Sequence, residues 1–407
     1  MVVFILLIVT SIFGNEEGEI PNSMKKVQTK ILAFGSIVAI LVVAAAFLVN
    51  FTIGAGAAPK TSSGLDLNPK EYVPPSTVTQ ADISTSLLAA GTAHNYVTVA
   101  HWKSTFVSGG ITYKYSMVGS APSSNTSTTI PVHIIPVNLT VNYNGVTSQW
   151  NGSDAVAQTV ASPLFKKANF TSGNTQYVDA IQRAEFFSQI TSKYHVLLGK
   201  PTVEAPLALT VPAGLAVTAT TSSGLNIAVV DLTWYDTHLQ STLNSRGEST
   251  QGITIFLSHN TMKGQGAPLI QNCCIGGYHN AVKINHQLYT YAEATFDDGA
   301  FSIHPASADF SRDVNALSHE LAEWANDPFV NNITPNWISP IAPQYGCNNF
   351  LEVGDPLVGV TIPPASFGGY HLQDEAFFSW FARQSPSIAQ GGRYTYLGTF
   401  SGLSAVC

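Results

Sequence analysis

The chain has 407 residues and a net charge of −7, and only 11% of its residues are charged. An average globular protein carries about 25% charged residues. Here Ser, Thr, Asn and Gly take their place, a composition typical of exported, β-rich chains and unlike that of a cytosolic helical protein. Nucleic-acid binding needs clustered Lys and Arg, and no basic run occurs outside the N-terminal region, which argues against a nucleic-acid partner.

The N-terminus reads as an address. Met24-Lys25-Lys26-Val27-Gln28-Thr29-Lys30 is a basic stretch, Ile31 to Ile53 is apolar, and Ala55-Gly56-Ala57 has the small-residue spacing of a cleavage site. Translation is expected to start at Met24, with residues 1–57 as a leader. The alternative is a retained anchor, since the apolar run is long enough to span a bilayer. A membrane partner is expected only in that case. Residues 58–92 are rich in Pro, Ser and Thr and read as an arm. Residues 93–407 are expected to form one large α+β domain.

Within that domain the pattern is first strand-like. Thr129 to Val141 is apolar and β-branched, with an irregularity expected at Pro136. Ser153-Asp154 is placed to cap a short helix toward Phe165. Gln176 to Thr191 carries Val178, Ile181, Phe187 and Ile190 at helical spacing. Strands are expected at 207–219, 226–234, 252–258 and 287–295. A site helix is expected over 311–326, ending before Pro328. A last helix is expected over 373–383, with Asp374 and Glu375 in its first turn.

Four cysteines, Cys273, Cys274, Cys347 and Cys407, imply two disulfides in an exported chain. A bridge between adjacent residues is strained and rare, so Cys273 and Cys274 are expected to reach Cys347 and Cys407 separately.

The site helix carries the chemistry. It contains Ser318-His319-Glu320-Leu321-Ala322-Glu323-Trp324, nearly the H-E-x-x-H of zinc hydrolases with Glu323 in place of the second histidine. At roughly 100° per residue, Val314, Leu317, Leu321 and Trp324 share one face, His319 and Glu323 the opposite one, and Glu320 lies to the side. His319 and Glu323 can therefore hold one ion while Glu320 serves as general base on its water. From Asp297 to Glu375 the chain has eleven carboxylates and a single base, Arg312. Such a gathering repels itself unless solvent or a cation compensates. A solvated acidic surface is one reading and a bound cation the other. The third ligand is expected to be Glu352 or, close behind it, Asp355. Further candidates are Asp327, His371 and His279.

These residues resemble a family. The H-E-L-A-E helix with its following D-P, and the later L-E-V-G-D, look like secreted proteins related to the plant Exordium (phosphate-induced) family. A closer likeness is to exported bacterial proteins that pair C-C-x-x-G-Y-H, here Cys273 to His279, with S-H-E-x-A-E-W-x-x-D-P-F, here Ser318 to Phe329. Leu351 to Leu357 and Tyr370 to Phe381 match their later motifs, and the likeness runs from about residue 110 to the C-terminus. It implies an extracytoplasmic protein and no particular reaction. A separate likeness to zincin metallopeptidases covers the helix alone and implies His319 and Glu323 as ligands with Glu320 as the base. Glu323 in place of histidine adds negative charge, which makes bound water less acidic and the site friendlier to Ca²⁺ or Mn²⁺ beside Zn²⁺.

The expectation is an α+β, disulfide-containing secreted domain in which a mixed sheet backs a zincin-like helix. It would be a hydrolase using one divalent metal, most simply Zn²⁺, on an extracellular peptide or glycan. The alternative is a non-catalytic extracellular or cell-envelope binding protein with a structural metal or an acidic surface.

Overall fold

The computed structural model describes residues 73–74, 77–79, 97–221, 224–267, 269–285, 287–299, 312–403 and 407. Contacts divide the chain into Met1–Gly64 and Leu65–Cys407. The leader 1–57, most of the arm 58–92, Asp309 and the first residue of the expected site helix lie outside the described residues. Among the described residues no helix is long and apolar enough to cross a membrane.

Helices and strands mix in an α+β fold. Strands β1 (His101–Ser108) and β2 (Ile111–Val118) form a hairpin, and β3 (Ser127–Ile130) pairs in parallel with β8 (His195–Leu198). The expected irregularity within 129–141 falls at Pro131, between β3 and β4 (Val132–Tyr143), and not at Pro136. Pro136 sits within β4, opposite Leu257. After β5 (Val146–Asn151) come a short 3-10 turn, α1 (Val156–Ala161), the β6 (Ala168–Phe170) and β7 (Gly173–Thr175) pair, and α2 (Tyr177–Glu185).

The main sheet has seven strands. Its path is β10 (Leu207–Val211), β4, β13 (Ile253–His259), β17 (Gln287–Phe296) and β16 (Gly277–Ile284), while β5 and β9 (Thr202–Val203) pair with β4. β10, β4, β13 and β17 are mutually parallel, and β16 returns antiparallel on β17. A second sheet runs β11 (Ala216–Thr220), β12 (Asn226–Asp231), β14 (Thr261–Gly264), β15 (Cys273–Ile275).

Both faces of the main sheet are covered, which is why its central strands are nearly continuous apolar runs. On one face Ile134, Ile255, Leu257, Ala292 and Ala294 pack with Leu317, Leu321 and Trp324 of α4 (Asn315–Asn326) and with Val178 and Ile181 of α2. On the other, Val137, Phe256 and Tyr291 pack with Tyr235, Leu239 and Leu243 of α3 (Leu232–Arg246). The sequence reading runs a strand through 226–234 and misses α3. Its start is capped by Asp231, which accepts from Trp234 N at 2.9 Å, and its end by Gly247 in the left-handed region.

The C-terminal part adds β18 (Ile333–Ile338) with β19 (Cys347–Phe350), β20 (Thr361–Ile362) with β21 (Leu372–Gln373), and a single helical turn, α5 (Phe378–Phe381). The helix expected over 373–383 is therefore shorter. Asp374 and Glu375 are fully buried and extended ahead of it, turned inward by hydrogen bonds that a helix's first turn would not offer. Tyr177 Oη donates to Glu375 Oε1 at 2.6 Å, and Leu397 N donates to Asp374 Oδ1 at 2.9 Å.

The expected cysteine pairing is overturned. Cys347 pairs with Cys407, and Cys273 with Cys274. The adjacent pair is enclosed with Ile227, Val229, Met262 and Leu269 on the second sheet, whereas Cys347 opens β19 in the C-terminal hairpin. The adjacent pair is buried, whereas Cys347 and Cys407 are both exposed.

Candidate metal centre

α4 begins at Asn315, not at 311, and all twelve of its residues are buried. It lies against β16 and β17 on one side and is enclosed elsewhere by α2, β2 and β21. The reading of its polar face as a solvated surface is thereby corrected. Small residues make the enclosure possible. Strand alternation turns Gly277, His279 and Ala281 of β16 to the helix side, where Ala292 and Ala294 are their cross-strand partners at positions 279 and 277.

Six side chains meet along the polar face. His319 Nε2 is 3.1 Å from Glu323 Oε2, 3.6 Å from Asp355 Oδ1 and 4.0 Å from Glu320 Oε1. His279 Nδ1 is 3.5 Å from Glu320 Oε2 and 3.6 Å from Glu323 Oε2. Glu352, only 1% exposed, offers the sixth group, and neither of its carboxylate oxygens has a hydrogen-bond partner among the described residues. Two groups of donors result, His279–Glu323–Glu352 and His319–Glu320–Glu323. Within each, the donor atoms lie within 4.8 Å of one another. These buried groups can hold a metal ion.

The surroundings fix the donors. Glu323 Oε1 accepts from Gly354 N at 3.1 Å and Asp355 N at 3.3 Å, so its other oxygen is left to face the two imidazoles. His279 Nε2 lies 3.1 Å from the carbonyl of Asp327. That bond puts the proton on Nε2 and leaves the Nδ1 lone pair toward the carboxylates, the arrangement a ligating histidine needs. His319 is held differently. Gln373 Nε2 lies 2.8 Å from both His319 Nδ1 and Gly354 O. With Gln373 as donor, the neutral ring carries its proton on Nε2, facing Glu323. Ligation through Nε2 requires that proton to move to Nδ1 and the Gln373 amide to turn.

Electrostatics follow from burial without counter-charge. Burial, then Glu323, pushes the Glu352 carboxyl well above the usual range. Burial pushes Glu320 up to about 7. Glu323 is buried too, but His319 and then His279 hold it well below an ordinary carboxylate. Burial works against a charge on His279, yet Glu352, Glu320 and Glu323 raise it well above an ordinary imidazole. Protons thus occupy positions that a cation could take.

Of the expected site residues, His319, Glu320, Glu323, Glu352 and Asp355 come together. His279, given there only as a further candidate, is a full member. Asp327 is not. Its carboxylate accepts from Asn331 N at 2.9 Å and Asn332 N at 2.8 Å, closing the end of α4. His371 is not either, since its Nδ1 pairs with Asp313 Oδ2 at 2.6 Å. Gln373 is missed by the sequence reading, as is a buried ion pair between Lys263 of β14 and Glu293 of β17, whose lysine donates to Gly276 O at 3.2 Å. A cavity of about 140 Å³ reaches Asp355, and Trp337, Ser339, Tyr345, Asn348 and Val73 also line it. Comparison with protein-family models, with curated proteins and with solved structures returns no match for this chain.

Proposed function

We infer that this chain is an exported metal-dependent hydrolase, peptidase-like, acting on an extracellular peptide or glycan. The observation that carries the reading is Glu352, a buried carboxylate with two unpartnered oxygens beside His279 and Glu323. A buried carboxylate in that state is costly unless it is protonated or meets a cation. His279 also supplies, from a strand, the second imidazole that H-E-x-x-E lacks. Two imidazoles with carboxylates favour Zn²⁺ or Mn²⁺ over Ca²⁺, which prefers oxygen donors alone. Such an ion acidifies water and polarises carbonyl groups. The zincin-like part of the reading is the role of Glu320. It stands between both imidazoles and serves as proton acceptor. Two disulfides among the described residues support export.

The test pairs metal content with turnover. Purified protein should carry zinc or manganese by elemental analysis, and His319→Ala should lower that content. Glu320→Gln should fold yet lower turnover of a peptide library by ~10² or more, as removal of a general base does. Absence of metal after purification without chelators would reject the reading. Mature protein should begin near Ala58 on N-terminal sequencing, and a chain starting at Met24 would show a retained leader.

A second reading, a non-catalytic binding protein with a structural ion, draws on the burial of α4. Structural sites are closed, whereas catalytic ones keep an open position. Metal-loaded protein that cleaves neither peptides nor glycans would favour it.

A further inference from the structure

The two donor groups share one residue. His279 and Glu352 belong to the first, His319 and Glu320 to the second, and Glu323 to both. We propose that the chamber is built for two divalent cations bridged by Glu323. The proposal rests on the metal reading above and changes its stoichiometry from the one ion expected of a zincin-like helix.

Three observations point this way. Ligand atoms on one ion of this size stand about 2.0–2.2 Å from it, so donors to one ion lie within roughly 4.4 Å of one another. Each group of three, within 4.8 Å, suits one ion after its donors close in by a few tenths of an ångström at most. The two imidazoles present different nitrogens, Nδ1 of His279 and Nε2 of His319, at 3.6 and 3.1 Å from the same Glu323 oxygen. Each nitrogen can serve only one ion, whereas a carboxylate can serve two.

The second observation is charge. Four carboxylates, Glu320, Glu323, Glu352 and Asp355, are all buried with the two histidines. One divalent ion leaves two negative charges in a low-dielectric interior, and two ions leave none. The third is the unpartnered pair of oxygens on Glu352. It sits in the first group, with His279 and Glu323, and not in the second with His319 and Glu320. An ion held by His319, Glu320 and Glu323 alone would leave it unexplained. Glu320 keeps one oxygen toward each imidazole and so spans both positions. Paired ions about 3.5–4 Å apart are a recurrent device for displacement at phosphoryl and acyl centres, which is the substrate chemistry this arrangement fits.

The experiment uses the full chain, stripped with a chelator and titrated with Mn²⁺ alone. Bound ion is counted after gel filtration, and the electron paramagnetic resonance spectrum is recorded. The expected result is two ions per chain with the exchange-coupled spectrum of a pair. His279→Ala and His319→Ala should each hold one ion with an uncoupled spectrum. Glu352→Gln, nearly isosteric with the protonated acid, replaces His279→Ala should that variant fail to fold. A wild-type chain that saturates at one uncoupled ion overturns this proposal and leaves the single-metal hydrolase standing. A chain that takes up no ion overturns both.

Discussion

Gly354 has ordinary backbone angles, φ −84° and ψ −36°, yet a Cβ on it would stand 2.5 Å from Nδ1 of His319. Space, not conformation, requires glycine there. The backbone at Gly354 packs against the imidazole while its N–H holds Glu323. Gly277 is the counterpart on β16, where a Cβ would meet Glu320 Cγ at 2.8 Å. The two glycines bracket the helix's polar face.

Gly354→Ala should therefore push the His319 ring aside. The expected cost is about 1–3 kcal/mol of stability, as for other overpacked sites, together with at least a tenfold loss of metal affinity. Urea unfolding and metal titration read the two effects. Unchanged affinity would mean that His319 is not a ligand.

Once its amide has turned, Gln373 accepts from His319 Nδ1 and holds the ligating tautomer, and Gln373→Ala removes that partner. Partners of ligating histidines are typically worth 10–100-fold in metal affinity, and a loss of that size is expected. Gln373→Glu, which can only accept while ionised, should retain or strengthen binding through Nε2. Competition with a fluorescent chelator measures both variants.

Glu185 offers a prediction in pH. It is fully buried, and burial pushes its carboxyl up to about 8 although Phe378 N and Asn326 oppose this. The folded protein therefore holds a proton that the unfolded chain releases near the ordinary carboxyl value of about 4.5. Its contribution is fully present below that value and is lost as pH rises to about 8. From pH 5 to pH 9 the stability of wild type relative to Glu185→Gln should fall by about 4 kcal/mol. Urea midpoints of both proteins at each pH test this, and parallel curves would reject a buried proton.

Asn332 ties the end of α4 to the β1–β2 hairpin. Its side chain accepts from Ser116 N at 2.9 Å and donates to Ser116 O and Asn326 O, each at 2.7 Å. Asn332→Ala leaves three buried backbone groups unpaired, which should cost at least about 3 kcal/mol at ~1–3 kcal/mol each. A change below 1 kcal/mol in chemical denaturation would show that these groups find other partners.

Much of the site is legible in the chain because a helix fixes its own geometry. His319 and Glu323 are one turn apart whatever packs around them, and L-E-V-G-D brings two carboxylates near by a short loop. His279 depends on which strand lies at the sheet edge beside α4, a long-range fact. Its local signal is the alternation Gly277-Tyr278-His279, which puts a glycine and a histidine on one face. α3 is missed because its buried positions, Leu232, Tyr235, Leu239, Thr242 and Leu243, are separated by Thr, Trp, Asp, His, Gln and Ser. The Asp231 cap and Gly247 are the signals that mark its ends. The cysteine expectation fails because it weighs the strain of an adjacent bridge and has no knowledge that Cys273 is buried on the second sheet while Cys347 is exposed in the C-terminal hairpin.

The cavity at Asp355 has a consequence for what can be handled. At about 140 Å³ it holds four or five waters, each needing ≈ 30 Å³. Of the six clustered side chains Asp355 alone lines it, so a molecule that enters by this cavity meets that carboxylate first.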